Sequence, residues 1–145
     1  MKKNILFVCT GNSCRSVMAE GLFRHLMGGR KKDLLIGSAG TNALDGCEAS
    51  EQAVQVMRKE GIDVSQHRSR RLTSAMVRSA DKIFVMETRH KQAILQAWPE
   101  VSEKVHLLSS AEIPDPIGSS EYFYKNVFSV IREGVRNIVR EMEGS

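Results

Sequence analysis

Ile5-Leu6-Phe7-Val8-Cys9-Thr10-Gly11-Asn12-Ser13-Cys14-Arg15-Ser16 is the stretch from which the rest of the chain is read. The apolar run Ile5 to Val8 predicts a buried strand, and the residues from Ser16 to Met27 predict a helix. Five residues separate Cys9 from Arg15. A turn of that length can bring its backbone N–H groups onto one point at the opening of a helix. Unpaired amides and the helix dipole both favour an anion there. The same field favours the thiolate form of Cys9 at the base of the ring. Arg15 can grip two phosphate oxygens with its planar fork. A strand-end cysteine alone is often only a small core residue. That reading leaves Gly11, Asn12, Arg15 and Ser16 unexplained, and it leaves a cation at a helix start, where the dipole disfavours it. Strand, loop and helix together read as a nucleophile aimed at phosphorus.

Composition sets the frame. The 145 residues fit a single domain spanning 1–145, and 41% hydrophobic with 26% charged residues is ordinary for a globular protein. No apolar stretch is long enough to cross a bilayer. Lys2 and Lys3 precede only the short run Ile5 to Val8, too short for a signal-peptide core, so a cytoplasmic protein is expected. Cys9, Cys14 and Cys47 make no even disulfide set and are expected as thiols. His25, His67, His90 and His106 are scattered, and no second ligand pair accompanies Cys9 and Cys14, so no metal is expected. The net charge of +4 is mostly dispersed; one dense run is Arg68-Ser69-Arg70-Arg71, with no aromatic interleaved. It reads as a solvated basic loop, or as a positive rim drawing phosphorylated partners to a cleft. Neither reading calls for nucleic acid.

Outward from the first strand, apolar runs alternate with amphipathic stretches. Leu34-Leu35-Ile36 reads as a second strand ending in Gly37-Ser38-Ala39-Gly40, Ile83 to Met86 as a third and Val105 to Leu108 as a fourth. Helices are predicted over Ser16 to Met27, Glu48 to Glu60, Thr88 to Ala97 and about Ser120 to Met142. Their inward positions are Met18, Leu22, Leu26 and Met27; Ala53, Val54 and Met57; and Phe123, Val127, Val130, Ile131, Ile138 and Met142. Gly61 stops the second helix. Continuously apolar strands separated by helices predict an α/β fold, a parallel sheet covered on both faces. Ligands in such sheets bind beyond the carboxyl ends of the strands, which is where Cys9 stands.

Phosphoryl transfer to a thiolate also needs an acid for the leaving group. Asp115 in Glu112-Ile113-Pro114-Asp115-Pro116-Ile117-Gly118 is the candidate, held between two prolines; a plain turn is the alternative. Cys9 to Ser16, Ser38-Ala39-Gly40, His67 with Arg70, and Asp115-Pro116 occur in the order seen in low-molecular-weight protein tyrosine phosphatases, a family that nearly the whole chain resembles. The resemblance implies a three-layer sandwich whose four-stranded parallel sheet has the order 2-1-3-4, with helices on both faces. It implies a phosphocysteine intermediate, no metal and no cofactor, and phosphorylated protein side chains as substrates. The sequence leaves the oligomeric state open, with a monomer expected. By resemblance Cys9 is the nucleophile, Thr10, Gly11, Asn12, Ser13, Cys14, Arg15 and Ser16 form the phosphate-binding loop, and Arg15 grips the phosphate. Ser16 stabilises the thiolate, and Asp115 serves as acid and then as base for water. Asn12, Ser16, Ser38 and His67 match the polar network that holds the loop. Cys14 matches the partner that forms a reversible disulfide with Cys9.

Departures from the family pattern bear on the substrate. Val17 stands where the family usually has Pro, Ser13 where tyrosine-specific members have Ile, and Leu44, Ile117 and Gly118 where aromatic residues are usual. A phosphotyrosine ring stacks on flat apolar walls. The pattern resembles the protein arginine phosphatase branch, which has a small hydroxyl residue in place of the Ile and one apolar residue with Gly after Asp-Pro. Phosphoarginine is therefore placed ahead of phosphotyrosine. The loop is also similar to that of thioredoxin-coupled arsenate reductases. Those need two relay cysteines after the third strand, and Met86-Glu87-Thr88-Arg89-His90-Lys91 has none. A silent phosphate-binding module would be expected to lose Cys9, Arg15 or Asp115, and all three are present.

Overall fold

The computed structural model describes residues 3–28 and 33–144. Lys2, read above as part of a basic N-terminus, lies outside the described residues. In chain order the elements are β1 (Lys3–Cys9), α1 (Arg15–Met27), β2 (Leu34–Gly40), α2 (Glu51–Lys59), α3 (Ser74–Ser79), β3 (Lys82–Val85), α4 (Thr88–Ala97), a 3-10 turn (Pro99–Lys104), β4 (Val105–Leu107) and α5 (Glu121–Glu143). The strands form one parallel sheet in the order β2-β1-β3-β4, as expected. β1 is central and pairs Cys9 with Gly40 of β2.

Strand periodicity sorts β1 into two cores. Ile5, Phe7 and Cys9 face a cluster shared with Phe23 of α1, Met57 of α2 and Ile131 and Val135 of α5. Leu6 and Val8 face a second cluster with Val77 of α3, Ile94 of α4 and Val101. Helices therefore cover both faces and make three layers. Phe7 is fully buried, with its ring edge-on to Phe23 at 5.6 Å and stacked on Phe84 at 5.9 Å. Truncating such a side chain to Ala typically costs about 3–5 kcal/mol.

Several boundaries differ from expectation, each for a local reason. α2 begins at Glu51 rather than Glu48, because the Ser50 side chain accepts from Ala53 N–H and caps the helix there. Its buried residues are Ala53, Val56 and Met57, while Val54 is half-buried. Gly61 does end that helix region, with φ +78. In α5, Val127, Ile131 and Ile138 are buried as expected, Phe123 and Met142 are half-buried, Val130 is exposed, and Tyr124, Phe128, Val135 and Val139 are buried as well. α3 escaped the sequence reading. It is only six residues long, and its start depends on one side chain, Thr73, accepting from Met76 N–H.

β2 is an edge strand, and three of its outer acceptors are occupied. Arg24 donates to Ile36 O and Arg70 Nε to Ser38 O at 3.2 Å, while Gly40 O accepts from Leu72 N at 2.9 Å.

Candidate active site

β1 delivers Cys9 to the carboxyl end of the sheet, and α1 starts six residues later at Arg15. The turn between them is fastened from outside. Cys9 O accepts from Thr41 N and Thr10 O from Asn42 N, both at 2.9 Å, and Ser13 O accepts from Ser50 N at 2.8 Å. Asn12 O accepts from His67 Nε2 at 2.8 Å. In a trans peptide the N–H points opposite to the C=O. With these carbonyls held outward, the amides that follow them turn towards the inside of the loop. Asn12, at φ +53, is the one described non-glycine residue in the left-handed region, and its side chain tolerates that conformation. Gly40 makes the fit possible: a Cβ there would lie 2.4 Å from Thr10 O and 3.0 Å from Asn12 N.

A chain of polar side chains stands behind Cys9. Asn12 Nδ2 donates to Ser16 Oγ at 2.8 Å and to Ser38 Oγ at 2.9 Å, so both its protons are committed. Ser16 Oγ, accepting from Asn12, is left to donate its own proton to Cys9 Sγ at 2.9 Å. Ser38 Oγ donates to Glu20 Oε1 at 2.5 Å. Asn12 Oδ1 accepts from Arg70 N at 2.9 Å. Asn12, Ser16 and Ser38 are all buried, and buried polar groups of this kind are worth most when fully satisfied. Within the basic run, Arg70 serves this scaffold through its amide and its Nε. Arg68 bonds His67 O and approaches Glu48 at 3.9 Å.

Arg15 is 1% exposed. Its NH1 donates to Glu87 Oε2 at 2.5 Å and to Ile113 O at 2.7 Å. NH2 reaches Thr10 Oγ1 at 3.4 Å and lies 3.9 Å from Asp115 Oδ2. Nε is buried with no hydrogen-bond partner, alone in this among the described residues. A buried donor without a partner is costly, so the Nε edge of the fork is shaped for an acceptor that the chain does not supply. A tetrahedral oxyanion cradled by the loop fits that edge. Burial works against the Glu87 carboxylate, but hydrogen bonds from Arg89 and Arg15 prevail and hold its pKa down at about 2. Asp115 Oδ1 accepts from Ile117 N at 3.0 Å and from the Cys14 thiol at 3.6 Å. Burial, then the neighbouring Cys9 and Asp115, push the Cys14 pKa up, so it stays a thiol.

The sequence over residues 4–145 matches the family described as low molecular weight phosphotyrosine protein phosphatase. The chain belongs to that family. It is 36% identical to the low molecular weight protein-tyrosine-phosphatase Ptp of Acinetobacter johnsonii, over 90% of this chain and 91% of that one. It is 32% identical to the protein-arginine-phosphatase of Bacillus subtilis, over 97% of each. Among solved structures, the YwlE arginine phosphatase of Geobacillus stearothermophilus superposes with a TM-score of 0.91 at 30% identity, covering 98% of this chain and 94% of that chain. The protein is thus a cysteine-dependent phosphatase of the low molecular weight family.

The structure brings the candidate residues of this phosphatase into one cluster: Cys9 with Ser16, Asn12 with Ser16, Ser38 and His67, and Arg15 and Cys14 with Asp115. Cys47 is exposed and stands outside this network, its N–H bonded to Ser69 Oγ. Sequence reasoning missed Glu20, Glu87, His90 and the Ile113 carbonyl. Glu20 follows Ser16 by one helical turn on the same face. Glu87 and His90 are joined at the start of α4 by the bond from Glu87 N to His90 Nδ1 at 3.1 Å, and Glu-x-x-His is not the Ser/Thr-x-x-Glu/Gln spacing that marks a helix start in sequence. Ile113 acts through its backbone and leaves no sequence signal. No helix among the described residues is long and apolar enough to cross a membrane.

Proposed function

We propose that the protein hydrolyses phosphorylated protein side chains through a phosphocysteine on Cys9, with phosphoarginine favoured over phosphotyrosine. The observation that carries the chemistry is the pairing of the Ser16-to-Cys9 hydrogen bond with the open Nε edge of Arg15. In the first step the Cys9 thiolate attacks phosphorus from the base of the loop. The bond from phosphorus to the leaving oxygen or nitrogen breaks as protonated Asp115 gives its proton to that atom. The loop amides and Arg15 take up charge on the phosphoryl oxygens. In the second step Asp115, now a carboxylate, removes a proton from water. The water oxygen bonds to phosphorus, the S–P bond breaks, and phosphate and the Cys9 thiolate are released.

The substrate preference rests on the rim. Leu44 follows the segment that fastens the loop, and Ile117 follows Asp115; both are exposed and aliphatic, and Ser13 is half-buried and small. None offers the flat wall that a phenyl ring stacks on, and Asp115 can pair with a guanidinium as well as protonate it. The identity to tyrosine phosphatases supports the second reading, phosphotyrosine. Turnover of phosphoarginine and phosphotyrosine peptides by one preparation decides between them. Acid-quench trapping should place phosphate on Cys9, and Cys9→Ser should abolish turnover of both substrates. Near-normal activity in Cys9→Ser would end the mechanism. A wild type inert towards phosphoarginine, with Ser13→Ile leaving the preference unmoved, would return the substrate to phosphotyrosine.

A further inference from the structure

The Arg15 guanidinium is clamped at both terminal nitrogens, and one buried side chain touches both clamps. On one side NH1 meets Glu87 Oε2; on the other NH2 meets Thr10 Oγ1. His90, 2% exposed, accepts the Glu87 N–H on Nδ1 at 3.1 Å and sits 2.8 Å from Thr10 Oγ1 through Nε2. Because Nδ1 is already an acceptor, the ring proton lies on Nε2 and is donated to Thr10. The His90 backbone N–H donates in return to the Glu87 carbonyl oxygen at 3.0 Å, so the backbone that carries the Glu87 carboxylate is tied to His90 at two points. The Thr10 contact to Arg15 is long at 3.4 Å, and so depends on its oxygen being held still. The bond from His90 does that.

We propose that His90 is a positioning residue for phosphate binding, acting through Thr10 and Glu87 to set the angle at which the Arg15 fork meets the anion. The inference rests on the phosphatase reading above and adds a residue to it. The role requires an acceptor towards Glu87 N–H and a donor towards Thr10 Oγ1 on one side chain; neutral imidazole supplies both from a rigid ring, and the Gln amide supplies both on a flexible stem. Burial, then the nearby Arg15 charge, hold the His90 pKa down at about 4, so the ring remains neutral near pH 7.

The test is the inhibition constant of inorganic phosphate, measured against aryl phosphate turnover. It does not depend on the fraction of enzyme that is folded, so a merely structural role would leave it unmoved. His90→Asn keeps an acceptor for Glu87 N–H but cannot reach Thr10, and Thr10→Val removes the shared oxygen while keeping the shape. Each should raise the constant about tenfold, as expected for a lost hydrogen bond in a charged network. The double variant should show the same rise of about tenfold rather than about a hundredfold, because both changes break one chain of contacts. His90→Gln, whose amide can donate to Thr10, should recover most of the loss. An unchanged constant in His90→Asn, or multiplicative losses in the double variant, would overturn the proposal. Should His90→Asn fail to fold, His90→Leu, which keeps the bulk and removes both ring nitrogens, takes its place: a rise of about tenfold supports the proposal, and an unchanged constant refutes it. Wild-type turnover that Cys9→Ser abolishes is a separate control. Without it the phosphatase reading fails and this inference falls with it; with it and an unmoved constant, only the inference fails.

Discussion

Gly40→Ala should disable the phosphate loop from outside it. Gly40 ends β2, opposite Cys9. An added methyl would lie 2.4 Å from Thr10 O, 2.9 Å from the Ala43 Cβ and 3.0 Å from Asn12 N. Two of those three atoms are loop backbone, held by bonds to Asn42 N and through the Asn12 side-chain network. Ordinary carbon–oxygen contact lies near ~3.3 Å, so the loop or the strand end must give by about 1 Å. Overpacking of this kind costs about 1–3 kcal/mol, which for a chain of this length lowers the melting temperature by roughly 3–10 °C. A displacement of about 1 Å at a phosphate cradle costs on the order of 10²-fold in rate. Melting curves and kcat/KM on an aryl phosphate read the two effects on the same protein. Gly11→Ala is the comparison, since a Cβ at Gly11 meets only Ser13 Oγ at 3.7 Å and should leave the melting temperature nearly unchanged. A Gly40→Ala protein with wild-type melting and kcat/KM would refute the claim that this glycine sets the loop's position.

Asp115→Asn should slow hydrolysis of substrates with poor leaving groups by about 10²–10⁴-fold and those with good ones far less; equal losses would assign Asp115 a structural role. Mild peroxide should inactivate reversibly: Cys9 sulfenic acid condenses with the Cys14 thiol, releasing water and forming a disulfide that a thiol reductant reopens. Cys14→Ala should recover less activity after such treatment, and identical recovery would remove Cys14 from the redox chemistry. Stability should fall as the medium is acidified. His90, with its pKa lowered from 6.5 to about 4, favours the folded state fully above pH 6.5 and loses that contribution between 6.5 and 4. Glu87, lowered from 4.5 to about 2, contributes above pH 4.5 and loses its contribution as pH falls through 2. Urea unfolding at pH 7.5, 5.5 and 3.5 checks this, and a flat profile would contradict both assignments.

What the sequence shows best is whatever has a period or a fixed spacing. β1 is a continuous apolar run, and its covering helices repeat at helical spacing, so sheet, layers and the position of Cys9 follow from pattern alone. Ser38 and His67 lie far from the loop in sequence; resemblance placed them there, and periodicity could not have. α3 was invisible because six residues hold too few turns to show a stripe. The clamp on Arg15 was invisible for another reason. Its members come from the β3–α4 junction and a backbone carbonyl at Ile113, and no local rule links either to residue 15. Val130 faces outward, against expectation, because a helix's inward face is settled by its neighbours' geometry, which shifts a stripe by one position without altering its period.

The two arginines along β2 bear on how crowded a solution this protein tolerates. An open strand edge is a template on which a second chain can add itself, and runs of free carbonyls invite that addition. Here Arg24 and Arg70 lie across Ile36 O and Ser38 O, so an incoming strand would have to displace a guanidinium to bond either of those two carbonyls. Two side chains that contribute to the native fold thereby act as a guard against fibril-like stacking. Neutralising them would leave the sheet's order unchanged and make its longest free border adhesive.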